Sequence, residues 1–332
     1  MSLAVSGRDA SSLSVIGRYT IAIKATCSIR LQRLAMCQSR DWLYNRLTST
    51  HRVLSAFRDF PSSLHVRPDM RLLECSSDGN FILTKDFIDG NEVTQYAILS
   101  HTWVEGEEVT FDDLNNGSGK DKLGYEKIRF CAEQARQDGL RYCWVDTCCI
   151  NKANFTELSQ AINSMFYWYH NATKCYVYLA DVSTTEPDAN DQSSGLPFET
   201  AFRASRWFTR GWTLQELLAP SSVEFFSREC KKLGDKVVLE RQICEITGIP
   251  EQALRGTPLP SFGVDERMSW AKNRNTTYKE DEAYSLLGIF DIHMPLIYGE
   301  GRDNALSRLR EEIDKPSKGT NPETSSGGQP QL

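Results

Sequence analysis

The chemistry-bearing residues of the chain are most concentrated in Ser205-Arg-Trp-Phe-Thr-Arg210-Gly-Trp-Thr-Leu-Gln-Glu216-Leu-Leu218. If a helix starts near Thr209, then Leu214, Leu217 and Leu218 form its buried stripe. At about 100° per residue, Glu216 falls roughly 200° from Leu214, on the opposite face. Trp212, four residues earlier, shares that face. A carboxylate beside an indole, with Arg210 nearby, makes a floor for a flat cationic ligand. Burial against Trp212 would raise the Glu216 pKa. The plainer alternative is a solvated Glu216 with Arg210 as its ion-pair partner.

Two other polar groups stand where apolar runs end. Tyr96-Ala-Ile-Leu-Ser100 leads into His101-Thr102-Trp103, and Tyr142-Cys-Trp-Val leads into Asp146-Thr147. With Cys175-Tyr-Val-Tyr-Leu179 and Val223-Glu-Phe-Phe226, these runs read as strands buried on both faces, because they are continuously apolar rather than alternating. Helical stripes lie between them. Gly124, Ile128, Cys131, Ala132 and Ala135 form one, stopped by Asp138-Gly139. Leu158, Ile162, Met165, Phe166 and Tyr169 form another, with Asn154 and Glu157 spaced as a capping box. Strand–helix alternation predicts an α/β fold with a parallel sheet, whose ligands bind beyond the carboxyl ends of the strands. Ser100, Trp103 and Asp146 occupy that end. Asp146 could orient a ligand there or cap the following turn. His101 could contact substrate or serve structure alone. Phe166, Trp168 and Tyr169 read as core.

Short strands are also expected at Arg71-Leu72-Leu73 and Phe81-Ile82-Leu83, around an Asp78-Gly79 turn signal. Residues 181–197 hold four acids and no base and read as a long loop, either solvated or a mobile flap. Helices are expected over Lys236 to Thr247, Asp265 to Asn273, Glu280 to Phe290 and Asp303 to Ile313. The chain is thereby divided into a basic extension at 1–69, a core domain at 70–230, a helical extension at 231–314 and a disordered tail at 315–332. A weak helical pattern runs from Arg30 to Leu54.

Of the 332 residues 40% are hydrophobic and 25% charged, an ordinary globular composition. The net charge of -6 is unevenly spread. Residues 1–69 carry ten basic and four acidic groups, leaving -12 on the remainder. An acidic body argues against nucleic-acid binding, which needs a basic face. No stretch approaches the ~20 apolar residues of a membrane span. The ten cysteines sit mostly in apolar runs, as reduced buried thiols do. Their spacing matches no zinc pattern, so no metal site is expected. Phosphate-binding, dinucleotide-binding and nucleophile-elbow motifs are absent.

Three blocks carry a resemblance: Tyr96-Ala-Ile-Leu-Ser-His-Thr-Trp103, Tyr142-Cys-Trp-Val-Asp-Thr-Cys-Cys-Ile-Asn-Lys152 and Arg210-Gly-Trp-Thr-Leu-Gln-Glu216. In order and spacing they resemble the signature blocks of the fungal heterokaryon incompatibility (HET) domain, over about residues 70–230. Arg267-Met-Ser-Trp-Ala271 through Pro295-Leu-Ile-Tyr-Gly-Glu-Gly301 resembles the helical extension that often follows it. The HET domain is in turn similar to Toll/interleukin receptor (TIR) domains. The resemblance implies a TIR-like, flavodoxin-like sheet flanked by helices, and a role in vegetative incompatibility through regulated cell death.

In NAD-cleaving TIR domains the helix after the third strand carries the catalytic glutamate, and Glu216 holds the matching place. The implied chemistry is hydrolysis of the nicotinamide–ribose bond, which breaks through an oxocarbenium-like state that a carboxylate stabilises. NAD would be substrate, and no cofactor is implied. Ser100, Trp103, Asp146, Arg210 and Trp212 are the implied substrate-binding residues: Trp103 or Trp212 to stack, Arg210 to meet phosphate or brace the helix. The rival reading is a non-enzymatic module working by self-association and partner recruitment, for instance with a NOD-like receptor. A third is a pseudo-enzyme that binds nucleotide without cleaving it. The expected location is cytoplasmic. The leader at 1–69 is Arg- and Ser-rich, as mitochondrial transit peptides are, and an upstream extension from a mis-set start codon explains it equally.

Overall fold

Burial of strand residues on both faces requires helices above and below the sheet, and the computed structural model has that arrangement. It describes residues 70–75, 80–84, 95–185 and 198–315. The expectations placed on 1–69, on Asp78-Gly79, on 186–197 and on the tail beyond 315 lie outside the described residues.

Seven strands form one sheet: β1 (Leu73–Cys75), β2 (Phe81–Leu83), β3 (Tyr96–His101), β4 (Tyr142–Trp144), β5 (Lys174–Tyr178), β6 (Val223–Phe226) and β7 (Lys232–Asp235). Their order is β2-β1-β4-β3-β5-β6-β7. The inner four, β4-β3-β5-β6, are parallel, as the continuous apolar runs predicted. The sheet as a whole is mixed, because β1, β2 and β7 pair antiparallel at its edges. These edge strands are only three or four residues long; β1 and β2 pair close in sequence, as do β6 and β7, which antiparallel pairing allows, while β1 also pairs with the distant β4. Every residue of central β3 is buried.

The crossovers are helical. Between β3 and β4 lie α1 (Phe111–Asn116) and α2 (Leu123–Gln137). The α2 stop falls where expected: Gly139 takes φ +76°, and Leu140 N–H returns to Ala135 O at 2.8 Å. After β4 come α3 (Asp146–Cys149) and α4 (Phe155–Asn171). Asn154 caps α4 by accepting from the Thr156 and Glu157 amides, at 3.1 and 3.3 Å. The capping box is only half formed, since Glu157 accepts instead from Asn151 N–H, at 2.7 Å, and from Arg71. Between β5 and β6 lie α5 (Glu199–Ala204), a 3-10 turn (Arg206–Thr209) and α6 (Thr213–Leu218).

Beyond β6 the helical reading needs correction at several places, and the expected helix to Asn273 ends at Ser269. Lys232–Asp235 form β7, and the next helix, α7, starts only at Glu240 and runs to Thr247. The Asp235 carboxylate accepts from Val237 and Val238 N–H, at 3.0 and 2.9 Å, and this turn separates strand from helix. Five helices follow: α8 (Glu251–Leu254), α9 (Val264–Ser269), α10 (Asp281–Tyr284), α11 (Leu287–Phe290) and α12 (Arg302–Asp314). The expected helix over 280–290 is thus two short ones. Their residues Tyr284, Leu287 and Ile289 share one continuous core with the sheet.

Candidate functional site

The carboxyl end of β3 carries Ser100 and His101, whose side chains point to opposite faces of the sheet. On the Ser100 side lies α6. The helical-wheel reading of α6 is corrected here. All six of its residues are buried, and Glu216 is only 7% exposed. Both faces of the helix are covered, one by the sheet and α4, the other by the chain beyond β7, so it has no solvent side.

Glu216 meets Ser100 rather than Trp212 or Arg210. The Ser100 hydroxyl donates to Glu216 Oε2, and Trp207 Nε1–H donates to Ser100 Oγ at 2.8 Å. Tyr169 lies beside the carboxyl and donates its own hydroxyl to Leu99 O, at 2.9 Å. Its oxygen is therefore left to accept. A protonated Glu216 can donate to it, so the neutral acid satisfies the whole chain of donors. The electrostatics agree. Burial pushes the Glu216 pKa up to about 8, against the opposing pull of the Ser100 hydroxyl; Asp146 raises it further, while Arg274 lowers it.

Arg210 and Trp212 turn away toward the extension. Arg210 Nη2 donates to Thr277 Oγ1 at 3.0 Å, and Trp212 Nε1 donates to Asp281 Oδ2 at 3.1 Å. The cation near Glu216 is Arg274, which donates to Arg210 O (2.9 Å) and Thr213 Oγ1 (2.8 Å). Nothing in its surroundings, Asn273-Arg274-Asn275, marked it in the sequence as a partner of a residue 58 positions earlier.

On the His101 side is a charged set. His101 Nε2 lies 3.1 Å from Asp146 Oδ1, and its Nδ1 lies 3.7 Å from Glu108 Oε2. Lys127 binds Glu108 and donates to Thr102 O at 3.1 Å. Burial resists ionisation of Asp146, but the Lys152 charge and the His101 bond outweigh it and hold its pKa low. Asp146 is thus the first residue of α3 and an ionic partner at once. Lys152 Nζ sits 3.9 Å from Asp146 and 3.7 Å above the ring of Trp103. Trp103 is 50% exposed. Arg206 spans from α6's approach to this rim, donating to Thr102 Oγ1 (3.1 Å) and Trp103 O (3.0 Å). Ser100, Trp103, Asp146 and Glu216 therefore gather at one end of the sheet, while Arg210 and Trp212 do not join them.

Cys131, Cys143, Cys148, Cys149 and Cys175 are free and buried, as their apolar contexts predicted. Among the described residues no group of His, Cys, Asp and Glu is placed to hold a metal ion. No described helix is long and apolar enough to cross a membrane.

The family model described as "Heterokaryon incompatibility protein (HET)" matches residues 96–196, a stretch that begins with β3 and contains β4 and β5. This chain is a HET-domain protein. It is 60% identical over 247 residues to the vegetative incompatibility protein HET-E-1 of Podospora anserina, a match covering 74% of this chain and 18% of that relative. No solved structure matches the chain significantly. The HET model includes Ser100, Trp103 and Asp146 and stops short of Arg210, Trp212 and Glu216.

Proposed function

We propose that this HET-domain protein acts in heterokaryon (vegetative) incompatibility, and that its chemistry is hydrolysis of the nicotinamide–ribose bond of NAD at Glu216. The incompatibility role is supported by the HET match and by the identity to HET-E-1. The single observation behind the chemistry is a buried carboxyl, held by Ser100 and Tyr169, at the carboxyl end of a parallel β4-β3-β5-β6 core. Numbered along the chain, these four strands run second, first, third, fourth. That order supports a flavodoxin-like, TIR-like reading, with the crevice between β3 and β5 as the ligand position.

In the reaction nicotinamide leaves with the bonding electron pair, and water adds to the ribosyl carbon with loss of a proton. Ionised Glu216 faces the positive charge that develops on the ribose, in surroundings where burial strengthens the attraction. Half-exposed Trp103 offers a ring for stacking. Lys152 and Arg206, rather than Arg210, flank it as cations for the phosphates. Death signalling in the cytoplasm belongs to the same proposal.

A second reading, self-association with partner recruitment, is favoured by one observation: Glu216 is already bonded within the core, as a structural carboxyl would be. Purified full-length protein and its Glu216→Ala variant separate the two. Loss of NAD cleavage by at least 100-fold in a folded variant supports the enzyme. Equal turnover, or none in either, with cell killing retained by the variant, supports the assembly module.

A further inference from the structure

Arg274 lies in the turn after α9 and is buried, 7% exposed. Its guanidinium donates from Nε to Trp270 O (3.2 Å) and from Nη1 to Arg210 O and Thr213 Oγ1. Every one of these acceptors is a neutral oxygen. Nη2 is buried and has no hydrogen-bond partner. Burial pulls the Arg274 pKa down to about 10, which leaves the guanidinium charged near neutral pH in a medium that screens poorly.

The charge is aimed at one helix. Thr213 opens α6, and Glu216 follows three residues later on the same face. The titratable and charged groups acting on Glu216 come from every element around it: Tyr169 from α4, Cys175 from β5, Asp146 at the start of α3 and Arg274 from the extension. Asp146 and burial oppose the carboxylate, and of these groups Arg274 is the cation.

We propose that Arg274 is a positioning residue for Glu216: from the helical extension it fixes the first turn of α6 and supplies the positive field in which the Glu216 carboxylate forms. Glu216 and Arg274 both lie beyond residue 196, where the HET model ends, so their coupling belongs to the part of the chain that follows the matched stretch. Only the consequence for NAD cleavage rests on the function proposed above; the coupling itself does not.

The test uses the full chain and three substitutions, Arg274→Met, Arg274→Lys and Glu216→Gln. Difference infrared spectra through a pH titration follow the carboxylic C=O band that disappears in Glu216→Gln. Arg274→Met is expected to raise the midpoint of that band by about one pH unit or more, a tenfold gain in proton affinity. Arg274→Lys, which keeps a cation, restores most of the difference. An unmoved midpoint in folded Arg274→Met overturns the proposal. Should Arg274→Met fail to fold, the double variant with Glu216→Gln decides: a folded double variant supports charge coupling, and an unfolded one reduces Arg274 to a purely structural role and overturns it. NAD cleavage is followed in parallel. Wild type that cleaves no NAD while the infrared midpoint moves fails the enzymatic reading and leaves the coupling standing.

Discussion

Glu216 carries a folded-state pKa near 8 against an ordinary 4.5, so the protein favours its neutral form. The direction of the resulting pH effect follows from linkage. Below about 4.5 both folded and unfolded chains hold the proton, and the residue adds no pH dependence. From there to about 8 the unfolded chain ionises while the folded one stays neutral, so stability falls as pH rises. Above 8 both are ionised and the penalty is complete. Glu216→Gln keeps the shape without the charge. Its melting temperature should therefore gain on wild type as pH climbs from 5 to 8 and hold constant beyond, as read by differential scanning calorimetry. A constant offset across that range would contradict the assignment. If the ionised form is the reactive one, NAD cleavage rises with pH through about 8 as well. A rate that is flat between pH 6 and 9 would assign the chemistry to another group.

At the scale of elements, α6 is short, six residues, and is held in place by what surrounds it. Arg274 bonds its first turn. Lys236 reaches its far end, donating to Pro220 O (2.8 Å) and Leu217 O (3.4 Å). Gln215 donates to Ser285 O at 2.7 Å, and Gly211 N–H to Asn275 O at 3.0 Å. Two glycines allow the extension to approach this closely. A Cβ on Gly288 of α11 would lie 2.0 Å from Phe166 Cβ on α4, and one on Gly211 would lie 2.5 Å from Thr276 Cγ2. No rotamer of Phe166 moves its Cβ, so Gly288→Ala must shift a helix. It should cost about 1–3 kcal/mol, the range of overpacked cores. Gly211→Ala meets a methyl group, so the added Thr276→Ala change should recover part of its loss. Urea midpoints of the variants check both; a neutral Gly288→Ala would show that α11 does not pack on α4 as described. This clamp was not legible in the sequence. Strands β3 to β6 and helices α2 and α4 were legible, because continuous apolar runs and helical stripes are local patterns; Ser100 and Asp146 were legible as residues at strand ends, while Glu216 was joined to them only by the family resemblance. The wheel drawn for α6 failed because periodicity finds a buried face only where the other face is wet. Arg274 and Lys236 were missed because a cation's partner is set by tertiary packing across tens of residues.

Over the whole molecule, the same clamp decides what can fold alone. The stretch matched by the HET model, 96–196, holds β3, β4 and β5 but neither β6 nor α6. Cut there, β5 would be left with an open edge, which invites pairing with other chains. Ending the chain at 230 restores β6 and α6 but still removes β7, Lys236, Arg274 and the acceptor for Gln215. It also removes Leu239, Ile243, Trp270, Tyr284 and Leu287 from the shared core. Burial of such side chains contributes roughly 1.5–3 kcal/mol each. Their joint loss, about 7.5–15 kcal/mol, is as large as the ~5–15 kcal/mol by which an ordinary domain is stable at all. Residues 70–230 expressed alone should therefore lack near-ultraviolet circular dichroism, bind a hydrophobic dye and melt without a cooperative transition. Residues 70–315 should show a single sharp transition. Cooperative melting of 70–230 would show that the extension is an accessory to the HET fold; its absence makes the extension part of the unit on which Glu216 depends.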